Sequence, residues 1–275
     1  MKSKIGILLC VVFFTGCATA QQPALVQSPK KTSLAATTTT VSWYQPKPGI
    51  SWQWQLSGNI NTSYNVDLYD VDLVETPQGT IDLLHIRGAK VICYFSAGTF
   101  EEYREDAYLF PAEVIGKQLE GWPDEKWLDI VHFSRFASII QSRLDLAVQK
   151  KCDGVEPDNV DGYDNDTGFD LTYADQLIYN RWLAEEAHAR GLAIALKNDL
   201  AQVNALVDYF DFAVNEQCFE YEECDQLLPF ITQNKAVLGV EYELGTDEFC
   251  KQANELNFSW LQMEYELAGS RVACN

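Results

Sequence analysis

Short apolar segments alternate with longer polar segments over most of the chain after residue 41. This alternation is typical of a parallel sheet whose buried strands are joined by crossover helices. Helical periodicity marks 136–149 and 173–190, and a shorter helix is expected at 224–233. Eight apolar segments have the length of buried strands. Seven of them lie at 52–56, 65–73, 90–96, 154–157, 192–196, 236–240 and 259–263, and the remaining one ends at Asn215. The pattern therefore predicts an α/β fold, a single (β/α)8 barrel of the TIM type.

The first forty residues follow a different pattern, which predicts export of the protein. Two lysines precede an apolar run at 5–14 and a few small residues, which is the layout of an export signal over residues 1–20. Residues 21–40 are rich in Gln, Ser, Thr, Pro and Ala, a composition typical of a flexible tether. The folded domain is expected at 41–275, and a monomer is its default state.

Two cleavage sites compete within the export signal. The sequence FTGC at 14–17 resembles a bacterial lipobox in which Cys17 carries the lipid, whereas ATA at 18–20 resembles an ordinary signal-peptidase site. We favour the lipoprotein, which predicts a bacterial outer-membrane or cell-surface location with the lipid anchor as the only membrane contact. The alternative is a periplasmic or secreted protein.

Acidic residues outnumber basic residues by two to one, with 40 Asp and Glu against 20 Lys and Arg and a net charge of −20. This charge argues against nucleic acid and against an anionic membrane surface as the main partner, because both would be repelled. A cationic or neutral substrate is compatible with it. Solubility alone would explain the same composition, so the charge restricts the partners without identifying one.

Six cysteines follow the export signal, an even number in a compartment that permits disulfides. Their spacing favours a bond between Cys218 and Cys224 and another between Cys250 and Cys274. Cys93 and Cys152 either pair or remain buried thiols. A zinc site is the competing interpretation, but the chain has no CxxC pair and only three histidines. We therefore predict no metal and no cofactor.

Two predicted strands end in acidic residues, and these ends are the best indication of chemistry. The segment VEPDNVDGY at 155–163 carries Glu156, Asp158 and Asp161, and AVNEQCF at 213–219 carries Glu216. Hydrolysis of a glycosidic bond requires two carboxyl groups, one that protonates the leaving oxygen and one that attacks or activates water. An acidic turn in water and a surface glutamate are the ordinary alternatives.

The barrel register places polar residues from several strand ends at one opening. In such barrels the carboxyl-terminal ends of the strands form the active face. The predicted strands converge there on seven residues: Tyr94, Asp158, Lys197, Asn198, Glu216, Glu241 and Tyr242. No phosphate-binding glycine motif and no serine-hydrolase elbow is present in the sequence.

Six segments of this chain resemble glycoside hydrolase family 114, and together they span almost the whole domain. They are WQWQL at 52–56, VICYFSAGTFEEYRED at 91–106, EGWPDEKWLDI at 120–130, CDGVEPDNVDGY at 152–163, LKNDLAQ at 196–202 and AVNEQCFEYEEC at 213–224. The resemblance implies an α/β barrel that acts as an endo-α-1,4-polygalactosaminidase, with Asp158 and Glu216 as the catalytic pair. The target would be a galactosamine-containing polysaccharide, cationic or partly acetylated, such as a biofilm matrix.

Retaining barrel enzymes that cleave α-linked sugars share this layout of carboxyl groups, and analogy makes Asp158 the nucleophile and Glu216 the acid/base. A retaining enzyme would hold the two groups roughly 5 to 5.5 Å apart, and an inverting enzyme roughly 6.5 to 9.5 Å. Glu156 points to the same side of an ideal strand and is the competing nucleophile. Lys197 is expected to pair with a catalytic carboxylate and to keep it ionised.

Further residues are expected to contact the sugar: Asp72, Tyr94, Asp129, Glu156, Asn159, Lys197, Asn198, Glu241 and Tyr242. Barrel packing and helix capping are the alternative interpretation of each. Two other functions stay open at this point. A lipoprotein that binds a cationic polysaccharide without cleaving it would need no spaced carboxyl pair. A metal-dependent hydrolase could use Glu156, Asp158 and Asp161 as oxygen ligands.

Overall fold

The computed structural model describes Gly16 and residues 42–274. The chain divides into two units, Met1–Thr39 and Thr40–Asn275, and the fold described below is that of the second unit. The predicted export signal, the lipidation of Cys17 and the predicted tether lie outside the described residues.

The described chain contains eight parallel strands, one antiparallel strand at the sheet edge and a separate three-stranded sheet. In chain order the strands are β1 (Trp52–Gln55), β2 (Leu68–Asp72), β3 (Lys90–Ser96), β4 (Thr99–Glu101), β5 (Ile115–Leu119), β6 (Trp122–Leu128), β7 (Gly154–Asp158), β8 (Ala193–Lys197), β9 (Phe212–Glu216), β10 (Val237–Glu241), β11 (Ser259–Met263) and β12 (Arg271–Ala273).

Six α-helices and several short 3₁₀ segments connect the strands. The helices are α1 (Gln78–Ile86), α2 (Ala137–Gln149), α3 (Tyr173–Ala189), α4 (Val203–Leu206), α5 (Leu228–Thr232) and α6 (Thr246–Glu255). The 3₁₀ segments are Ala107–Leu109, Ala112–Val114, Ile130–Arg135, Gly162–Asp164, Leu200–Gln202 and Cys224–Leu227. Among the helices of the described residues, none is both long and apolar enough to cross a lipid bilayer.

The main sheet has the order β1-β2-β3-β7-β8-β9-β10-β11-β12, in which the first eight strands are parallel and β12 runs antiparallel to β11. This arrangement confirms the predicted TIM-type barrel. The indole of Trp52 in β1 donates a hydrogen bond of 3.0 Å to the carbonyl of Ser259 in β11 and so links the first parallel strand to the last. Both strands therefore contribute to one closed interior.

Two apolar clusters bury the two faces of the barrel sheet. Trp54, Ile92, Phe212 and Leu238 belong to the cluster inside the barrel. The second cluster lies between the sheet and the surrounding helices, and it includes Val91 from the opposite face of the strand that carries Ile92. Because both faces are covered, most residues of these strands are apolar, which is why the sequence pattern predicted them.

The structure differs from the predicted elements in two connections. β1 and β2 are joined by a loop without a helix, and β2 begins at Leu68 rather than at the predicted position 65. The segment from Gly98 to Trp127, in which the sequence pattern predicts neither a strand nor a helix, contributes to a sheet of order β4-β6-β5. The reason is its composition: β5 is partly or fully exposed along its whole length, so it lacks the apolar run that marks a buried strand.

Three disulfide bonds join the six cysteines of the described chain. Cys218–Cys224 and Cys250–Cys274 confirm the predicted pairs. Cys93 and Cys152 also pair, which decides between the two possibilities left open by the sequence. Since Cys93 lies in β3 and Cys152 precedes the neighbouring strand β7, this bond fixes the start of the strand that ends in Asp158.

Candidate active site

A cavity of about 480 Å³ opens at the carboxyl-terminal ends of the barrel strands. Asp158 at the end of β7 and Glu216 at the end of β9 both line it. Six other predicted site residues line the same cavity, because their strands end at the same opening. Besides Asp158 and Glu216, the predicted residues in the lining are Asp72, Tyr94, Asn159, Lys197, Asn198 and Tyr242.

Backbone contacts hold Asp158 in place at the end of its strand. The amides of Ala97 and Gly98 each donate a 3.0 Å hydrogen bond to the carbonyl of Asp158. Gly98 packs so closely on the next residue that an added Cβ would lie 1.6 Å from the carbonyl oxygen of Asn159. A larger residue at position 98 would therefore displace the turn that carries Asp158.

Three donors surround the carboxylate of Asp158. The Tyr94 hydroxyl donates to Oδ2 at 3.0 Å, while the Asn159 amide and the Lys197 ammonium donate to Oδ1 at 2.7 and 3.1 Å. Burial and the repulsion of Asp158 raise the pKa of the Tyr94 hydroxyl well above its usual range, so this group stays a donor.

Glu216 has its own set of partners on the other side of the cavity. Its Oε1 lies 2.5 Å from the Tyr242 hydroxyl, and Asn198 Nδ2 donates to Oε2 at 3.2 Å. Asn198 also accepts a hydrogen bond of 3.0 Å from the Glu216 amide, so one side chain fixes both the backbone and the carboxyl group. The side chain of Glu216 is 27% exposed, against 17% for Asp158.

The Lys197 ammonium lies between the two carboxyl groups. The sequence predicted that Lys197 pairs with one of them, and in the structure it contacts both. Its Nζ is 3.1 Å from Asp158 Oδ1, 3.3 Å from Glu216 Oε2 and 3.5 Å from Glu156 Oε1. Burial opposes this charge, but the carboxylates of Asp158 and Glu216 outweigh burial and raise the pKa of Lys197 well above its usual value. The buried ammonium is therefore a permanent positive charge at the floor of the cavity.

A pair of buried acidic residues lies beneath this floor, inside the barrel. Asp70 on β2 and Glu156 on β7 are fully buried, and none of their four carboxyl oxygens has a hydrogen-bond partner among the described residues. Burial raises the pKa of both groups, and the charge of Asp70 raises the pKa of Glu156 further. Glu156 thus lies below the cavity and does not line it, whereas Asp158 does.

Two predicted sugar contacts also lie outside the cavity lining. Asp129 accepts hydrogen bonds from the Val131 amide and from a His132 ring nitrogen, and it caps the 3₁₀ segment that follows it. Glu241 is fully buried and accepts from the Phe219 amide and from the Trp260 indole. Both side chains have structural partners instead of facing the opening.

Asp72 and Asn159 line the cavity, but each is engaged by neighbouring protein groups. The guanidinium of Arg104 contacts both carboxylate oxygens of Asp72, at 3.1 and 2.6 Å, and the Val74 and Glu75 amides donate to one of them. Asn159 Nδ2 donates to the hydroxyl of Ser96 at 3.0 Å. These residues shape the wall beside Asp158.

Most of the cavity wall that faces the barrel strands was not predicted from the sequence. The inserted sheet β4-β6-β5 and the turns around it bring six residues to the lining: Tyr103, Arg104, Leu119, Trp122, Glu125 and Trp127. Gln217 and Tyr265 complete the other side, where Tyr265 stacks on Tyr242 with ring centroids 4.1 Å apart. A sequence signal existed only for part of this wall, in the aromatic residues of EGWPDEKWLDI at 120–130.

A second, acidic cavity continues from the first beyond Glu216. The two share Asp161, Asn198, Glu216 and Gln217, so the opening extends past the carboxyl pair. Burial, and then the charge of Asp158, raises the pKa of Asp161 to about 6. Burial raises the pKa of Asp199, which lines the second cavity, to about 9. An extended cleft of this kind can hold sugar units on both sides of a bond.

Within residues 42–274, no group of three or more His, Cys, Asp or Glu side chains is arranged to hold a metal ion. In the metal-hydrolase hypothesis, Glu156, Asp158 and Asp161 would share a cation. The Lys197 ammonium contacts the carboxyl groups of the first two instead. The local charge balance is thus provided by a protein side chain.

A TIM-type barrel with two carboxyl groups facing across a cleft at its active face defines the class of barrel glycoside hydrolases. The model of glycoside-hydrolase family GH114 matches residues 32–275, and the chain belongs to this family. It is a glycosidase. No curated protein matches the chain.

Two solved structures illustrate the similarity. A crystal structure of Aspergillus fumigatus Ega3 in complex with galactosamine shares 39% sequence identity, covers 85% of this chain and 98% of its own, and has a TM-score of 0.81. The glycoside hydrolase domain of PelA from Pseudomonas aeruginosa shares 14% identity, covers 81% of this chain and 98% of its own, and has a TM-score of 0.63. The second comparison supports the fold alone.

Proposed function

We propose that this protein is an endo-acting, retaining glycosidase that cleaves α-1,4-linked galactosamine-containing polysaccharide. Asp158 acts as the nucleophile and Glu216 as the acid/base. The observation that carries the proposal is the placement of these two carboxyl groups on either side of the Lys197 ammonium, in the cleft of a family GH114 barrel. The galactosamine bound to Ega3, at 39% identity, supports the sugar class.

The contacts of Lys197 limit the distance between the two carboxyl groups. Asp158 Oδ1 and Glu216 Oε2 both contact the same nitrogen, so they lie no further apart than the sum of those two contacts, about 6.4 Å. Inverting enzymes place their carboxyl groups roughly 6.5 to 9.5 Å apart, to leave room for a water molecule. The limit applies to the nearest oxygens of the two groups, and a pair this close agrees best with the roughly 5 to 5.5 Å of retaining enzymes.

The surroundings of each group support the assignment of roles. Asp158 is the less exposed of the two and accepts three hydrogen bonds, as suits an ionised nucleophile. Glu216 is more exposed, at the point where the two cavities meet, so a leaving sugar and then a water molecule can reach it. An acid/base residue needs this access.

The reaction then proceeds in two steps. Asp158 attacks the anomeric carbon while Glu216 donates its proton to the glycosidic oxygen, which breaks the bond and leaves a sugar ester on Asp158. Glu216, now a carboxylate, takes a proton from water, and the resulting hydroxide displaces Asp158 from the anomeric carbon. Both residues return to their initial state, and the sugar keeps its α configuration.

The acidic character of the cleft suits a polymer with free amines. Ammonium groups bind carboxylates by charge-assisted hydrogen bonds, and the net charge of −20 attracts a cationic chain. Continuity of the two cavities beyond Glu216 supports internal cleavage of a chain over removal of its end unit. Three disulfides agree with an exported enzyme, and the lipid anchor at Cys17 stays part of this proposal.

The test is digestion of partly deacetylated α-1,4-galactosaminogalactan by the domain from residue 41 onward, with and without a chelator. We expect oligosaccharides from the parent in both conditions. Asp158→Asn and Glu216→Gln should each reduce the rate by at least about 1,000-fold, whereas Glu220→Gln, at an exposed position in the turn after Glu216, should retain it. A parent that binds the polymer without cleaving it would identify a binding protein. Activity lost to the chelator and restored by a metal would favour the metal-dependent hydrolase.

A further inference from the structure

The inserted sheet brings to the cavity one carboxyl group that the barrel does not supply. Glu125 lies on β6, lines the cavity together with Asp158, and is only 6% exposed. Its strand neighbours Asp124 and Lys126 have more exposed side chains. A charged residue that is buried at the wall of a substrate cleft requires a partner, since an unpaired carboxylate is costly to bury.

Glu125 has no basic partner among the described residues, whereas three other carboxylates close to the cavity have one. Asp72 and Glu101 both contact Arg104, and Asp158 contacts Lys197. Among the described residues, the Glu125 carboxyl group has one hydrogen-bond partner, the Thr99 hydroxyl, which donates to Oε2 at 2.7 Å. A single hydroxyl leaves most of the hydrogen-bonding capacity of a carboxylate unused.

A short series of hydrogen bonds fixes Glu125 relative to Asp158. The Thr99 hydroxyl contacts that of Ser96, and Asn159 Nδ2 donates to both of these oxygens, at 3.2 and 3.0 Å. The amide of the same Asn159 donates to Asp158. Glu125 is thus held by residues that also hold the proposed nucleophile, so its carboxyl group has a defined position near the sugar that Asp158 attacks.

The charged groups around Glu125 favour a cation from outside the protein. Burial raises the pKa of this carboxyl group to about 7; the Thr99 hydrogen bond and Arg104 oppose the increase, while Glu101 and Asp158 add to it. A ligand ammonium placed against the carboxyl group would stabilise its ionised form. A neutral acetamido group at the same place would provide no such charge.

We infer that Glu125 binds the ammonium group of a galactosamine unit in the cleft and makes the enzyme prefer deacetylated over N-acetylated substrate. The inference rests on the proposed function. It assigns the selection of free amines to the inserted sheet, whereas bond cleavage belongs to the barrel. Glu125 is in this account a specificity residue that takes no part in the transfer of the glycosyl group.

Kinetics on two polymers of matched length, one fully deacetylated and one fully N-acetylated, test the inference. Glu125→Gln keeps the size of the side chain and an oxygen for Thr99 but removes the charge. We expect kcat/KM on the deacetylated polymer to fall about 10- to 100-fold, mostly through KM, since a hydrogen bond to a charged group is worth about 1.5 to 3 kcal/mol. The value on the acetylated polymer should change less than about 3-fold. Asp124→Asn removes a charge from the adjacent exposed position and should leave both values unchanged.

A second measurement reports on the ammonium contact without turnover. In the Glu216→Gln background, binding of a galactosamine oligomer at pH 6 should release a proton from Glu125, because the ammonium favours the carboxylate. Calorimetry in buffers of different ionisation enthalpy measures this release. It should persist with the added Asp124→Asn change and disappear with the added Glu125→Gln change.

These measurements distinguish failure of the inference about Glu125 from failure of the proposed function. Equal loss on both polymers, or unchanged selectivity in Glu125→Gln with unchanged proton release, would overturn the inference while leaving the proposed function intact. A parent enzyme that cleaves neither polymer would overturn the proposed function itself.

Discussion

At the scale of single residues, Lys197 determines how the two proposed catalytic groups can work. Its ammonium contacts Asp158 and Glu216, and it lies 4.9 Å from the centre of the Trp54 ring. The surrounding side chains bury the ammonium, so water does not compete with the two carboxyl groups for it. Its positive charge lies beside Asp158, the proposed nucleophile, which would attack the anomeric carbon as a carboxylate.

Replacement of Lys197 by methionine tests this role. Loss of the positive charge disfavours ionisation of the neighbouring carboxyl groups, so the acidic limb of the kcat/KM profile should move to higher pH by about 1 to 3 units. Lys117→Met is the control, because Lys117 is exposed and pairs with Asp166 away from the cavity. A Lys197→Met variant with lower activity but an unchanged pH profile would show that the lysine acts only through packing.

The sequence could predict Lys197 and the two carboxyl groups because each directly follows or ends an apolar strand, where the register of a barrel decides the direction of a side chain. It could not exclude Glu241, which also ends a strand but is engaged by the Trp260 indole. Asp70 was not among the predicted site residues, because it lies in the middle of β2 and not at its end. Its pairing with Glu156 depends on a strand distant in sequence.

At the scale of elements, the barrel and the inserted sheet differ in how far the sequence predicts them. Barrel strands are buried on both faces, and continuous apolar runs mark them. β5 and the start of β6 are exposed, and their pairing has two register shifts, so neither an apolar run nor regular alternation identifies them. The wall that carries Glu125 and Trp122 therefore became visible only in the structure.

Two of the disulfides are expected to differ in their effects on stability and on activity. Cys93–Cys152 closes a segment with a separation of 59 residues, and Cys218–Cys224 one of 6 residues. Because the entropy of the unfolded chain falls more for a longer loop, replacing both cysteines by alanine should lower the free energy of unfolding by about 4 kcal/mol for the first bond and about 2 kcal/mol for the second. Chemical denaturation measures both values.

Activity should show the reverse order. The Cys218–Cys224 bond lies just after Glu216 and constrains the loop that carries Gln217 at the cavity wall. We expect its removal to lower kcat more than removal of the Cys93–Cys152 bond does, measured well below both unfolding transitions. Equal effects on kcat would mean that β9 alone positions Glu216.

At the scale of the whole molecule, the excess of acidic residues acts over distances longer than a hydrogen bond. The net charge of −20 produces a potential that attracts polycations, and salt screens it with a Debye length of about 10 Å at 0.1 M. Direct contacts within the cleft are partly buried and less sensitive to salt. The ionic-strength dependence therefore separates attraction by the molecule from recognition by the site.

We expect KM for deacetylated polymer to rise several-fold between about 0.05 and 0.5 M sodium chloride, while kcat changes little. The fully N-acetylated polymer has no ammonium groups, and its KM should stay nearly constant over the same range. The same salt dependence for both polymers would contradict electrostatic attraction of the substrate and would assign the acidity to solubility.

The account as a whole depends on the roles of Asp158 and Glu216, and the chemical rescue of truncated variants by azide tests those roles most directly. The substrate is a galactosamine oligomer with an activated aryl α-glycoside, and NMR identifies the anomer of the glycosyl azide. In Glu216→Ala, azide should attack the ester on Asp158 and give the α-azide. In Asp158→Gly, azide should replace the nucleophile and give the β-azide. The opposite anomers, or the same anomer from both variants, would contradict the assignment.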